Sequence, residues 1–181
     1  MPVGEKKVGL LELFYDLVFV YALSRTTELV HHADEADYVT FLISLVILFT
    51  VWLYQSIYIN RFGDNSWRDR LFLFADMFLL LFLSNAVGSD WLANFVPFNL
   101  ALGLLVGSVC LQYLLQLARH ASPEQRRRIK LVAGLRGLTT ATVLGSLLFP
   151  ANIGQWVALG GFGLGWILPA FVRHKQPAVN F

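Results

Sequence analysis

Apolar residues occur along this chain in six stretches of about twenty residues, separated by short polar connections. An α-helix rises about 1.5 Å per residue, so a stretch of this length can cross the roughly 30 Å hydrocarbon core of a bilayer. The connections are rich in Gly, Pro, Asn, Ser and charged residues, which are typical of turns. We predict an all-α, polytopic transmembrane helix bundle, with spans near residues 8 to 29, 38 to 60, 69 to 90, 97 to 118, 130 to 149 and 153 to 173.

The composition supports a membrane location. Apolar residues make up 56% of the chain and charged residues 14%, with a mean hydropathy of +0.59, whereas soluble domains have about a quarter charged residues. We expect an integral membrane protein whose core lies between helices within the lipid bilayer. Residues 1–181 are predicted to form a single transmembrane helical domain.

Lysine and arginine predict the orientation of the chain, because basic residues favour the cytoplasmic side of a membrane. They are concentrated in alternate connections: Lys6, Lys7, Arg61, Arg68, Arg70, Arg119, Arg126, Arg127, Arg128, Lys130, Arg173 and Lys175. This alternation predicts that both termini are cytoplasmic, which requires an even number of spans and agrees with six. The net charge of +2 is small, so no nucleic-acid partner is predicted.

Four ionisable residues lie about 6 to 12 Å inside three of the predicted spans, at a depth where charge is costly and often functional. Glu12 and Asp16 are four residues apart, which puts both carboxylates on one face of the first helix. At about 1.5 Å per residue they lie about 6 and 12 Å from the cytoplasmic end, while Asp76 and Arg136 lie about 9 Å into their own spans. We predict that these four residues form a buried intramembrane polar centre.

Three acids and one arginine leave this predicted centre short of positive charge. In a medium of low dielectric constant, either one carboxyl keeps a proton or another cation completes the balance. A carboxyl that exchanges a proton for an ion is the basic element of a proton-coupled transporter. The alternative is a set of ion pairs and hydrogen bonds that only holds the helices together.

Other features favour packing roles. Gly103 with Gly107, and Gly161 with Gly165, have the small-xxx-small spacing that lets helices approach closely. The single cysteine, Cys110, lies in an apolar run and is interpreted as a small packing residue. Ser122-Pro123-Glu124 has the residue pattern of a helix start.

His31 and His32 are followed by Asp34, Glu35 and Asp37 in the first connection. Such a group can bind a metal or respond to external pH. A solvated loop is the favoured interpretation, so no metal site is predicted.

The sequence shows no catalytic set. It contains no H-E-x-x-H, G-x-S-x-G or Walker motif, and no lysine at mid-membrane that would hold retinal. An enzyme acting on lipid is therefore disfavoured, and no cofactor is predicted.

The segment Glu12-Leu-Phe-Tyr-Asp16-Leu-Val-Phe-Val20 resembles the opening signature E-L-F-[FY]-D-L-V-F-V of the bacterial low temperature requirement A (LtrA) membrane proteins. Further similarity lies in Trp52, Tyr58, Asn60-Arg61-Phe62 with the following acidic turn, and Asp76-Met77. The resemblance implies a multi-pass protein of the bacterial inner (cytoplasmic) membrane with a role in growth in the cold. It covers about half of the family's usual length, so the chain is expected to correspond to the N-terminal half.

Two functions remain open on these observations. The first is transport or proton-coupled ion handling at Glu12, Asp16, Asp76 and Arg136, with an ion or small solute as the partner. Asn60, Arg61 and Asn85 are secondary candidates for this site. The second is a non-catalytic structural or interaction role in the membrane, with a second copy of the chain or the absent C-terminal half as the partner.

Overall fold

The computed structural model describes residues 9–30, 35–64, 66–88, 90–117 and 123–174, except for the side chains of 35–37 and 167–174. Over these residues the protein contains six α-helices and no strand, which confirms the all-α prediction. The helices are α1 (Leu10–Thr27), α2 (Glu35–Phe62), α3 (Trp67–Asn85), α4 (Phe95–Leu117), α5 (Pro123–Gly145) and α6 (Ala151–His174). Short 3-10 turns follow α1 and α5.

Three stretches of described helix are long and apolar enough to cross a membrane. They are Tyr38–Phe62 within α2, Phe95–Leu117, which is α4, and Pro123–Leu148, which is α5 with its 3-10 turn. The fifth helix begins at Pro123, earlier than the predicted span at 130. Proline is favoured in the first turn and arginine and lysine are good helix formers, so the helix extends beyond its apolar part. The predicted cap Ser122 lies outside the described residues.

The chain divides into two compact units, Met1–Ser89 and Asp90–Phe181. In the first unit, α1 packs against both α2 and α3. Its most buried side chains are Tyr15, Phe19, Ala22 and Thr26, whose spacing of four, three and four residues makes one stripe along the helix. Glu12 and Asp16 lie beside this stripe, on the same flank of α1.

The α2–α3 connection is held by local hydrogen bonds. Ser66 is the N-cap of α3, and its side-chain oxygen accepts from the Asp69 N–H at 3.5 Å. The Asp64 N–H donates to the Asp69 carboxylate at 3.0 Å, and the Ser66 N–H donates to the Asp64 carboxylate at 3.3 Å. These bonds satisfy backbone donors that have no partner within the helix.

In the second unit, α5 packs against α4 and α6, and glycines allow the close approach. A Cβ atom at Gly103 would overlap Leu144, and one at Gly107 would lie 3.2 Å from Thr140 Cγ2. On α6, Cβ atoms at Gly161 and Gly165 would overlap threonines of α5. Both glycine pairs therefore face α5, as the packing interpretation of their spacing implies.

Cys110 also lies between α4 and α5. Its Sγ contacts the backbone carbonyl oxygen of Ala133 at 3.3 Å, and a Cβ atom at Gly137 would lie 3.5 Å from the sulfur. The cysteine is half-buried. These contacts agree with its interpretation as a small packing residue.

Candidate functional site

Asp76 is the most buried carboxylate among the described side chains, with 1% of its surface exposed. It lies in the middle of α3, on the face that also carries the buried side chains of Leu73, Met77 and Leu80. A carboxylate removed from water is stable only with a compensating proton, cation or set of hydrogen bonds. Among the described side chains of the first unit, Asp76 is therefore the acid whose charge most needs compensation.

Tyr15 of α1 lies near Asp76 and is 2% exposed. Its hydroxyl is buried and has no hydrogen-bond partner among the described residues. The charges of Asp76 and Asp16 both act on this hydroxyl, and Asp76 has the larger effect. An unsatisfied buried hydroxyl near two carboxylates is unusual, because buried polar groups nearly always find a partner.

Asp16 follows Tyr15 on α1 and is exposed on the surface of the described helices. Its Oδ1 accepts a hydrogen bond of 2.8 Å from the indole Nε1 of Trp52 on α2. The Trp52 ring stacks on Phe19 with centroids 5.2 Å apart, and Phe49 meets both rings edge-on. This aromatic cluster of Phe19, Phe49 and Trp52 positions the donor that holds the carboxylate.

Glu12 lies one helical turn before Asp16 and is half-buried. The first unit thus contains three acids and one phenol on two helices that pack together: Glu12, Asp16 and Tyr15 on α1, with Asp76 on α3. Carboxylate and hydroxyl oxygens are ligands for hard cations and also carriers of protons. We call these four residues the α1–α3 acidic site.

Arg136 belongs to α5 in the second unit and is half-buried there. The predicted centre therefore contains three members from the first unit and one from the second. A common membrane depth for the four residues stays a prediction.

The secondary candidates lie at helix ends. Asn60 and Arg61 are exposed in the last turn of α2, and the Arg61 guanidinium lies 5.6 Å from the ring centroid of Phe62. The Asn85 side chain donates to the Leu81 carbonyl of its own helix at 2.9 Å. Their role in a site stays a prediction. His31 and His32 lie outside the described residues.

Several other polar side chains of the predicted spans bond to their own helix backbone. Thr50 donates to the Val46 carbonyl oxygen, and Ser84 donates to that of Leu81. Thr139, Thr140 and Thr142 do the same in α5. Such bonds satisfy the hydroxyls without a ligand.

Sequence reasoning overlooked two members of this neighbourhood. Tyr15 lies in the E-L-F-Y-D segment, but no polar role is predicted for it from the sequence. A contact between Trp52 and Asp16 is not predicted either. The first had no signal in the sequence, because α1 is apolar on nearly all sides and its pattern does not indicate which face is buried. The second had none, because the contact joins residues 36 positions apart.

A family model for the bacterial low temperature requirement A protein (LtrA) matches residues 7–181. The match includes α1 with its Glu12 to Val20 segment and continues through α6. A search of curated proteins and a search of solved structures gave no match. The family match covers nearly the whole chain, and the protein belongs to the bacterial LtrA family.

Proposed function

We propose that this LtrA-family protein is a bacterial inner-membrane protein with six membrane-spanning helices and both termini in the cytoplasm, which moves an ion or small solute in exchange for protons. The observation that carries the proposal is the burial of Asp76 beside the Tyr15 hydroxyl. The orientation is supported by basic residues in alternate connections.

The exchange rests on the cost of a negative charge at the buried position of Asp76. With 1% exposure, water compensates its charge poorly. A bound proton removes the charge, and a bound cation offsets it, so the two compete for one group. A site that holds either a proton or a cation couples the movement of one to the other.

In the proposed path Tyr15 carries protons between the buried carboxyl and the exposed one, both of which are near enough to act on its hydroxyl. The hydroxyl bonds to neither carboxyl in the structure, so the transfer needs a small movement that brings these groups into hydrogen-bond reach. The Tyr15 oxygen can accept a proton from Asp76 while its own hydroxyl proton leaves toward Asp16, which returns the phenol to its starting state. Asp76 is buried and Asp16 is exposed. The proposed path therefore leads a proton from the buried helix interface to the exposed surface of α1. Acidic relays of this kind occur in membrane pumps and transporters.

The test is proton flux into vesicles that contain the reconstituted protein and a pH-sensitive dye. Gradients of Na⁺, K⁺ or Mg²⁺ are imposed in turn on wild type, Asp76→Asn and Asp16→Asn. Glu124→Gln serves as the matched control, because it removes one exposed carboxylate at the start of α5. We expect flux in wild type and the control and none in Asp76→Asn. Equal flux in wild type and Asp76→Asn contradicts the proposal.

A second candidate is a non-catalytic structural or interaction role that supports growth in the cold. The close glycine contacts between α4, α5 and α6 favour it, since such surfaces join helices. It predicts that Asp76→Asn lowers the melting temperature in detergent and that no cation gradient drives proton flux. Normal folding of Asp76→Asn with loss of cold growth would count against this alternative.

A further inference from the structure

The first two turns of α5 carry four exposed cations: Arg126, Arg127, Arg128 and Lys130. Beside them is a shallow surface cavity of about 440 Å³, lined by Pro123, Arg126, Arg127, Lys130 and Leu131. Three of the four cations therefore line one concave surface together with two apolar side chains. We call this surface the α5 basic groove.

Helix geometry separates Arg128 from the other three cations. Successive residues turn by about 100°, so positions 123, 126, 127, 130 and 131 lie within about 140° of the helix circumference. Position 128 falls outside this arc, and Arg128 does not line the cavity. The chain thus offers an exposed cation of the same turn that lies outside the groove.

The groove lies at one end of a candidate membrane span. Pro123–Leu148 is long and apolar enough to cross a bilayer, and most of its apolar window is not covered by protein. The four cations occupy about 6 Å of its first turns, which is comparable to the thickness of a headgroup layer. Basic clusters directly beside a membrane span attract anionic lipids.

We propose that the α5 basic groove binds the phosphate headgroup of an anionic phospholipid. Arg126, Arg127 and Lys130 donate hydrogen bonds and positive charge to the phosphate, and arginine does so with a planar, bidentate fork. Leu131 and Pro123 contact the upper part of the acyl chains. This combination of three cations and an apolar wall fits a lipid better than a free phosphate, which has no apolar part.

The groove is independent of the α1–α3 acidic site. It uses no residue of that site and lies on a helix of the other compact unit. Lipid binding here therefore stands or fails without regard to proton exchange.

The test measures the preference of the full chain for phosphatidylglycerol over phosphatidylcholine in reconstituted phosphatidylcholine vesicles. A trace of either lipid carries a spin label, and electron paramagnetic resonance gives its relative association constant. We expect wild type to prefer phosphatidylglycerol. Each of Arg126→Gln, Arg127→Gln and Lys130→Gln should weaken that preference by about fivefold or more, because each removes a charge-assisted hydrogen bond to the phosphate in the groove. Arg128→Gln should keep most of it.

Three results would overturn the proposal. The first is a wild type that does not distinguish the two lipids. The second is an Arg128→Gln variant that loses as much preference as the groove variants, which indicates diffuse charge and no groove. The third is loss of the preference when inorganic phosphate replaces chloride at equal ionic strength, which indicates a site for free phosphate. All four side chains are exposed, so their substitutions leave the helix core intact, and circular dichroism checks this.

Discussion

The indole Nε1 of Trp52 donates a hydrogen bond of 2.8 Å to Oδ1 of Asp16, and this bond joins α1 to α2. Asp16 belongs to the segment that resembles the LtrA signature, and Trp52 belongs to a second region of resemblance. Two separated parts of the family pattern thus meet in one contact. Asp16 is exposed, so its carboxylate can also take part in the exchange that we propose.

Trp52→Phe should weaken the α1–α2 contact. The ring can still stack on Phe19, but the N–H donor to a carboxylate is lost, and bonds to charged groups contribute about 1.5 to 3 kcal/mol. We expect a lower melting temperature in detergent. Trp156→Phe is the control, because Trp156 is 69% exposed. Equal effects of the two substitutions would contradict a specific role for the Trp52–Asp16 bond.

Tyr15→Phe distinguishes a role of Tyr15 in proton transfer from a role in helix packing. The substitution removes a buried hydroxyl that has no hydrogen-bond partner among the described side chains, which relieves a desolvation cost of about 1 to 3 kcal/mol. The free energy of unfolding should therefore stay the same or rise, whereas gradient-driven proton flux should fall. Tyr21→Phe is the matched control, since Tyr21 is exposed on the same helix. Lower stability with unchanged flux would show that Tyr15 has only a structural role.

Gly161→Ala should destabilise the second unit. A Cβ at this position overlaps Oγ1 and Cβ of Thr142, and a Cβ atom cannot move without its backbone. Overpacking of this kind costs about 1 to 3 kcal/mol. The neighbouring Gly160 has nothing within 4 Å of its Cβ position, so Gly160→Ala should be neutral or stabilising by up to about 1 kcal/mol. Thermal unfolding of the two variants in the same detergent gives the comparison, and similar melting temperatures would argue against close α5–α6 packing.

Ser66→Ala should loosen the start of α3. The side-chain oxygen that accepts from the Asp69 N–H is lost, which costs about 0.5 to 2 kcal/mol at an N-cap. Ser66→Asn keeps an acceptor and should retain wild-type stability. Amide hydrogen exchange in residues 67–70 reports the effect directly. Unchanged exchange in Ser66→Ala would show that the other bonds of the turn suffice.

Much of the secondary structure could be predicted from the sequence, because the length of an apolar run and the residues that end it are local properties. The six helices and the start of α5 at Pro123 follow from such signals. The glycine spacing on α4 and α6 likewise indicated close packing, since residues four apart share a helix face whatever the neighbour is.

The tertiary structure decided which carboxylate is buried. α1 is apolar on nearly all sides, with Leu13, Phe14, Leu17 and Val20 exposed, so its hydrophobic pattern cannot indicate which face packs. Burial then depends on the rotation of each helix about its axis, which contacts between distant residues determine. Those contacts bury Asp76 beside Tyr15 and leave Asp16 exposed with Trp52. The sequence by itself identified the acids, and only the packing of α1 with α2 and α3 gave them different surroundings.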